Sequence, residues 1–255
     1  MAKTVKKKVN LKGLLVILLV IYLIGMFLYY LINLPIKNIN ITGTSYLTDN
    51  EIIETAKIKD YPAIFRLNTF KIKKNLKSLD LVNNVHIYRT ITGKLTIDIE
   101  ENKVLYYNLY SKKVILSNLE EVNQNEKFMG YPTLINHVPD KILKDFNNKF
   151  KDIDSSVISL ISEIEYSQET LDGLTLNENR FLLRMNDGNT VYVDTVNLSK
   201  LNNYPKYHAT IEDGILGVYR LDSNSKNISF NSYQDIEAEV EENEIELQPT
   251  DEGTD

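Results

Sequence analysis

The spacing of hydrophobic positions along this chain changes several times, and each change predicts a different element. From Gly13 to Ile32 the apolar residues run without a break, 20 residues with no charge. A helix of that length is roughly 30 Å long, the thickness of a bilayer's hydrocarbon core. It satisfies its own backbone hydrogen bonds, which lipid cannot do. A core helix of a soluble domain would keep a polar stripe, and none exists here. Tyr29 and Tyr30 stand at the far end, where amphipathic rings favour the interface. The rival is a cleaved signal peptide, whose apolar core runs to about 7–15 residues before a small-residue cleavage site. This run is longer and ends Tyr-Tyr-Leu-Ile-Asn-Leu-Pro, without an A-x-A pattern. The pattern therefore predicts one uncleaved transmembrane helix over 13–32.

Beyond Pro35 the period shortens. Ile36–Thr42 alternates, with Ile39 and Ile41 on one face of a strand, and Gly43 breaks it. Thr48-Asp49-Asn50-Glu51 has the form of a capping box ahead of the helical stripe Ile52, Ile53, Ala56, Ile58. A second helix is expected over 69–79, with Phe70, Ile72, Leu76 and Leu79 on one side. Its lysines 71, 73, 74 and 77 form a solvated face or, given the nearby membrane, a lipid-facing one. Strands follow at 84–89 and 94–101, joined by Thr92-Gly93. The order is β-α-α-β-β, two helices on one face of a three-stranded sheet, over residues 36–103.

From Val104 short strands dominate: 105–109, 113–116 and 133–135, then helix over 140–150 and 157–161, then strand over 162–166. The clearest hairpin is 180–185 with 190–194, in which Asp187-Gly188 supplies the positive-φ turn. A short helix near 198–204 precedes last strands at 215–221 and 227–230. The expected fold class is α+β: the membrane helix, the β-α-α-β-β module, then a mainly antiparallel β domain with short helices over 104–231. Residues 232–255 are expected to be a disordered acidic tail.

Charge adds topology. Lys3, Lys6, Lys7, Lys8 and Lys12 precede the apolar run and only Lys37 follows closely, so the positive-inside rule places residues 1–12 in the cytoplasm. The formal charge is −6, but Asp235–Asp255 holds ten acids and no Lys or Arg. The remainder is thus near +4, five of those lysines lying inside, and no basic face outside supports nucleic-acid binding. Cysteine is absent, which removes thiol nucleophiles and thiolate metal sites.

Catalytic patterns were sought and not found. There is no P-loop, no G-x-S-x-G, no S-x-x-K and no H-E-x-x-H. His86, His137 and His208 fall on separate elements. Asp152 and Asp154 suit a helix start better than a carboxylate pair. Asp187-Gly188-Asn189 suits a hairpin better than a calcium loop, since no bidentate Glu stands at the required distance. No catalytic, cofactor or metal residue is assigned. The 16 tyrosines suit either half-buried strands or partner surfaces.

Several segments in order resemble the FtsQ/DivIB family of bacterial cell-division proteins, in the DivIB form of low-GC Gram-positive bacteria. Ile36-Lys-Asn-Ile-Asn-Ile-Thr-Gly43 looks like the first strand of its POTRA domain, and Tyr46-Leu-Thr-Asp-Asn-Glu-Ile-Ile53 like the first helix. Leu81-Val-Asn-Asn-Val-His-Ile-Tyr-Arg89 and Leu95-Thr-Ile-Asp-Ile-Glu-Glu101 are similar to its last two strands. Ile161–Tyr166, Asn186-Asp-Gly188 and Gly217-Val-Tyr-Arg-Leu-Asp222 resemble β-domain landmarks. The chain departs from the family at Leu81–Asn83, where a proline is common, and at Glu101-Asn102-Lys103, where Glu-Arg is common.

The resemblance implies a non-enzymatic divisome scaffold at the septum, in the cell membrane with cytoplasmic N-terminus and extracellular domains. Its partners would be FtsL-like and DivIC/FtsB-like bitopic proteins, and through them the septal peptidoglycan synthase would be controlled. It also implies β-augmentation near the last strands, with Val218, Tyr219, Leu221, Ile228 and Phe230 as contacts and 222–227 as the turn between strands. The alternatives are a membrane-anchored envelope enzyme, an extracytoplasmic sensor and an outer-membrane assembly factor. Only five arginines, twelve residues before the anchor and no barrel strands argue against each in turn.

Overall fold

The computed structural model of the protein describes residues 10–222 and 228–246. Most of the basic N-terminal segment, residues 223–227 of the turn expected over 222–227, and the last part of the acidic tail lie outside them. The described chain divides at Glu101/Asn102 into two units.

The first unit opens with α1 (Leu11–Ile32), capped by Asn10 and exposed along its whole length. It is the one described helix long and apolar enough to cross a membrane. Leu34 and Ile36 are already buried in the next domain. There β1 (Asn38–Thr42), α2 (Asp49–Ala56), α3 (Thr69–Leu76), β2 (Val82–Arg89) and β3 (Lys94–Glu101) follow in order. The sheet order is β1-β3-β2, with β1 parallel and β2 antiparallel to β3. Central β3 reads as its sequence predicts: Leu95, Ile97 and Ile99 are buried, and the residues between them are not. Ile52, Ala56, Ile72 and Leu76 from the helices cover that face.

Local chemistry fixes this unit's turns. Both halves of the capping box at Thr48 and Glu51 form. Gly43 has φ +83°, and a Cβ there would collide with the Ile99 carbonyl oxygen, so only glycine fits. The Glu101 carboxylate accepts from the backbone N–H groups of Ser45 (2.7 Å), Tyr46 (3.0 Å) and Leu47 (2.9 Å).

The second unit is built on a nine-stranded sheet. Its elements in order are β4 (Val104–Asn108), β5 (Lys113–Leu116), β6 (Glu121–Asn123), β7 (Thr133–Leu134), α4 (Asp140–Phe150), α5 (Ser155–Ile158), β8 (Ile161–Tyr166), β9 (Glu169–Leu171), β10 (Leu174–Asn177), β11 (Arg180–Met185), β12 (Thr190–Asp194), a 3-10 turn at Leu198–Asn203, α6 (Tyr204–His208), β13 (Gly217–Arg220), β14 (Ser229–Ser232) and α7 (Tyr233–Glu246). The order across the sheet is β14-β13-β12-β11-β8-β7-β4-β5-β6, while β9 and β10 pair only with each other. Pairing is mainly antiparallel, but β4–β7, β7–β8 and β12–β13 are parallel.

Helix α4 lays Ile142, Phe146 and Phe150 on the sheet's inner face. Phe146 stacks on Phe181 at 4.3 Å and on Phe150 at 4.8 Å between centroids. On the opposite face Tyr192 is sandwiched between the guanidinium groups of Arg180 and Arg220, 4.7 and 5.0 Å from its ring centre. Arg180 also pairs with Glu169 at 3.1 Å.

The acidic tail begins at Ser232, the last residue of β14. Residues 233–246 are helical as α7. The Ser232 hydroxyl accepts from Asp235 N–H at 3.0 Å, and Asp235 lies in the first turn, where the helix dipole favours an acid. Tyr233 fastens the start of this helix to the sheet: its N–H donates to the Leu216 carbonyl at 3.0 Å, and its hydroxyl lies 2.9 Å from the Thr190 hydroxyl and 3.3 Å from the Gly188 carbonyl oxygen.

Candidate functional site

The last two strands form the end of the large sheet, and their register decides what each side chain can do. Tyr219 stands opposite Val191 on β12 and Phe230 on β14, so all three share the core face. Tyr219 is 1% exposed, and its ring lies 5.3 Å from that of Tyr204 and 4.7 Å from that of Phe230. Leu221 is also 1% exposed. These two sequence-expected partner contacts are therefore core residues. Alternation fixes which residues share a face, but not which face meets the domain's helices. Val218 is half-buried, and the register puts it on the opposite face. Ile228 and Phe230 are half-buried against the core edge.

The backbone of β14 is the exposed feature. Gly217 N–H donates to the Asn189 side chain at 2.9 Å, and Leu221 N–H to the Tyr192 carbonyl at 2.7 Å. The odd residues of β13 thus direct their polar groups toward β12, and Val218 and Arg220 direct theirs toward β14. In an antiparallel ladder the bonded pairs are then Val218–Asn231 and Arg220–Ser229. Phe230 directs its backbone N–H and C=O outward, and Ser232 its N–H, the Ser232 C=O being placed as the first acceptor of α7. Among the described residues no strand pairs with that side.

The two ends of the sheet differ in chemistry. β6, at the far end, has three residues, carries the exposed Glu121 and is bridged to Lys113 through Asn123 at 2.6 Å. Short length and charge blunt an edge strand. β14 reads Ser-Phe-Asn-Ser, with neither charge nor proline.

A buried polar network holds β13 and so positions β14. Asn189, 1% exposed, accepts from Gly217 N–H and donates to the Tyr204 hydroxyl at 3.1 Å. Tyr204 donates in turn to Asp187 at 2.6 Å. Burial first, then the Asp187 carboxylate, push the Tyr204 phenol above its ordinary range. Burial, with the same carboxylate, raises Tyr219. His208 Nδ1 lies 3.3 Å from the Tyr219 hydroxyl and Nε2 lies 3.9 Å from Asp187. Gly217 is required by closeness: a Cβ there would collide with the Asn231 carbonyl oxygen. Sequence reasoning took Asp187-Gly188-Asn189 as a turn alone. It missed Asn189 and Gly217, whose roles depend on strands that meet only in the fold.

The other sequence candidates remain apart. His86 is exposed on β2 beside Asn84, and His137 packs against Tyr110 at 5.0 Å. Asp154 precedes α5, and its N–H binds Asn202. Lys71, Lys74 and Lys77 are exposed on α3. Among the described residues no three His, Asp or Glu groups converge as a metal site.

The family model described as "POTRA domain, FtsQ-type" matches residues 34–102. The cell division protein DivIB of Bacillus anthracis is 26% identical over 218 residues, 83% of this chain and 80% of that protein. DivIB of Brevibacillus brevis is 27% identical over 220 residues, 81% and 80% of the two chains, and that of Bacillus subtilis is 27% identical over 202 residues, 76% and 70%. The solved major extracytoplasmic domain of DivIB from Geobacillus stearothermophilus aligns with 46% of this chain and 98% of its own at 20% identity, with a TM-score of 0.35. With an FtsQ-type POTRA domain behind an apolar helix and similarity to DivIB proteins across about four-fifths of its length, the chain is similar to the FtsQ/DivIB family of bacterial cell-division proteins.

Proposed function

We propose that the protein is a non-enzymatic scaffold of the divisome and that β14 is its docking edge. In this reading α1 crosses the cell membrane with residue 10 toward the cytoplasm, and both folded units stand outside, at the septum. FtsL-like and DivIC/FtsB-like bitopic proteins are the partners, and by gathering them the scaffold helps control septal peptidoglycan synthesis.

The observation that carries the proposal is the outward-facing backbone of Phe230, with the Ser232 N–H, on an uncharged edge strand. Free N–H and C=O groups in strand geometry are satisfied by an added strand. Val218 gives the augmented sheet one outer-face contact, and Ile228 and Phe230 supply apolar surface at its inner margin. Tyr219 and Leu221 act from beneath, as packing that holds the edge.

The chain contains no cysteine, so one introduced thiol reports a single position. Asn231→Cys on β14 and Asn123→Cys on β6 would each be expressed in dividing cells with a cysteine-bearing DivIC-like partner. Crosslinking from Asn231→Cys alone is the expected result. Equal crosslinking from both edges, or from β6 only, would overturn the assignment.

A further inference from the structure

We propose that the end of the POTRA domain nearest α1 is itself a membrane-binding surface, seated in the anionic headgroups of the bilayer that α1 crosses. The proposal rests on α1 spanning the membrane, and its test separates the two ideas.

The argument starts from how little chain lies between helix and domain. α1 ends at Ile32, and Leu34 is already in the POTRA core. Two loops are fastened to this junction. In the first, Ile64 N–H donates to Leu34 O at 2.8 Å, Ile36 N–H donates to Pro62 O at 3.2 Å, and Pro35 bridges Ala63. In the second, the β2–β3 turn, Gly93 O accepts from Lys37 N–H at 2.8 Å. Arg89 ties the two together by donating to the carbonyls of Ile64 and Leu67. With at most ~3.6 Å of reach per residue, the first loop is held within about 15 Å of the last turn of α1, and the second, which also lies against the Pro35 carbonyl, within about 18 Å. The headgroup layer beyond the hydrocarbon is roughly 5–8 Å deep, so side chains projecting from these loops can enter it.

The side chains on those loops have the composition of an interface. Tyr61 is 51% exposed, Phe65 38% and Ile91, at the tip of the second loop, 70%. None of the three is needed for the core of this unit. Lys37, Arg66, Arg89 and Lys94 are exposed around them. The acids nearby are Asp60 and Glu54, and Glu54 is paired with Lys59 at 3.1 Å. Aromatic and aliphatic side chains among cations, next to a membrane helix already belted by Tyr29 and Tyr30, match the physics of interfacial binding. Continuity with α1 selects lipid over a soluble protein as the occupant.

The chain has no tryptophan, so single substitutions give unambiguous fluorescence. The full chain would be reconstituted into nanodiscs of mixed zwitterionic and anionic lipid carrying a headgroup-level quencher. Four single variants are compared: Ile91→Trp, Phe65→Trp, Tyr46→Trp and Phe27→Trp. β1 and β3 both run away from the α1 end, and Glu101 at the end of β3 holds the Tyr46 N–H, so residue 46 lies at the far end of the domain.

Phe27→Trp within α1 must be quenched by lipid, and its failure would sink the spanning helix rather than the surface. With it quenched, Ile91→Trp and Phe65→Trp are expected to show blue-shifted emission and strong quenching, and Tyr46→Trp neither. The shift should diminish with Arg66→Gln/Lys94→Gln or in purely zwitterionic discs. Ile91→Trp behaving as Tyr46→Trp does would overturn the proposal, and indifference to both charge changes would overturn its anionic part.

Discussion

Gly217→Ala probes the proposed docking edge through one methyl group. The added Cβ overlaps the Asn231 carbonyl oxygen and comes within 2.8 Å of Ser232 Cα and 2.9 Å of Phe230 Cε2. Two of these three atoms are backbone, so no rotamer change relieves the clash, and β13 and β14 must separate by about an ångström. A ladder bond of normal length is then lost at the Val218–Asn231 pair. Overpacking of this kind costs about 1–3 kcal/mol. Against it stand about four ladder bonds at roughly 0.5–1.5 kcal/mol each, less about 1–2 kcal/mol of backbone entropy for each of four residues. The strand's own margin is therefore small, and the methyl group is expected to release β14 while the rest of the sheet stays folded. Hydrogen exchange on the full chain reads this directly. Peptides covering 228–233 should lose protection, those covering 180–194 should keep it, and crosslinking from Asn231→Cys should fall with the former. Unchanged exchange at 228–233, or loss of protection across the whole sheet at once, would refute the reasoning.

Three further outcomes follow from the same contacts. Tyr219→Phe removes only the hydroxyl near His208 and should shift stability by under about 1.5 kcal/mol, whereas Tyr219→Lys strands a charge in the core and should unfold the second unit; circular dichroism during denaturation separates the two. Glu101→Gln weakens three charge-assisted bonds to the 45–47 loop and should lower POTRA stability by about 1–3 kcal/mol, seen as an earlier denaturant midpoint. Tyr106, Tyr204 and Tyr219 have phenol pKa values raised chiefly by burial above 10.0, so their contribution is fully present below pH 10 and is lost as pH rises through 10 toward the raised values. Tyr106→Phe should flatten that alkaline decline in a pH-stability series, and an unchanged slope would count against burial as the cause.

The elements most legible in the sequence are those whose signals are local. The hairpin of β11 and β12 falls at the expected residues because Asp187-Gly188 sets the turn and alternation sets both arms. The capping box at Thr48 fixes the start of α2 in the same way. What escaped lacks a burial pattern or depends on distant partners. β9 and β10 form a hairpin with Asp172 and Gly173 both at positive φ, but their leucines stay exposed, so no burial pattern marks them. The inward position of Tyr219 required knowing that β12 pairs with β13 in parallel, a contact across 28 residues. A period of two leaves the side of burial undetermined until the sheet finds its helices.

The place where β14 ends also bears on which partner strand it can accept. Ser232 is both the last residue of the edge and the residue whose hydroxyl caps α7. An added strand of either direction must therefore pass the first turns of this helix, where Asp235, Glu237 and Glu239 lie. Backbone pairing alone cannot discriminate among sequences, since every strand carries the same N–H and C=O groups. In the proposed docking, the acidic turns would supply discrimination by repelling a partner with acids at that end and attracting one with lysine or arginine there. Charges this exposed act mainly on the encounter and are screened by salt within about 10 Å at 0.1 M. Asp235→Asn/Glu237→Gln/Glu239→Gln should therefore slow association with the proposed DivIC-like partner and remove most of its salt dependence, with little change in dissociation. Surface plasmon resonance at two ionic strengths measures both rates. A change confined to the dissociation rate would place these acids inside the docked interface instead of beside it.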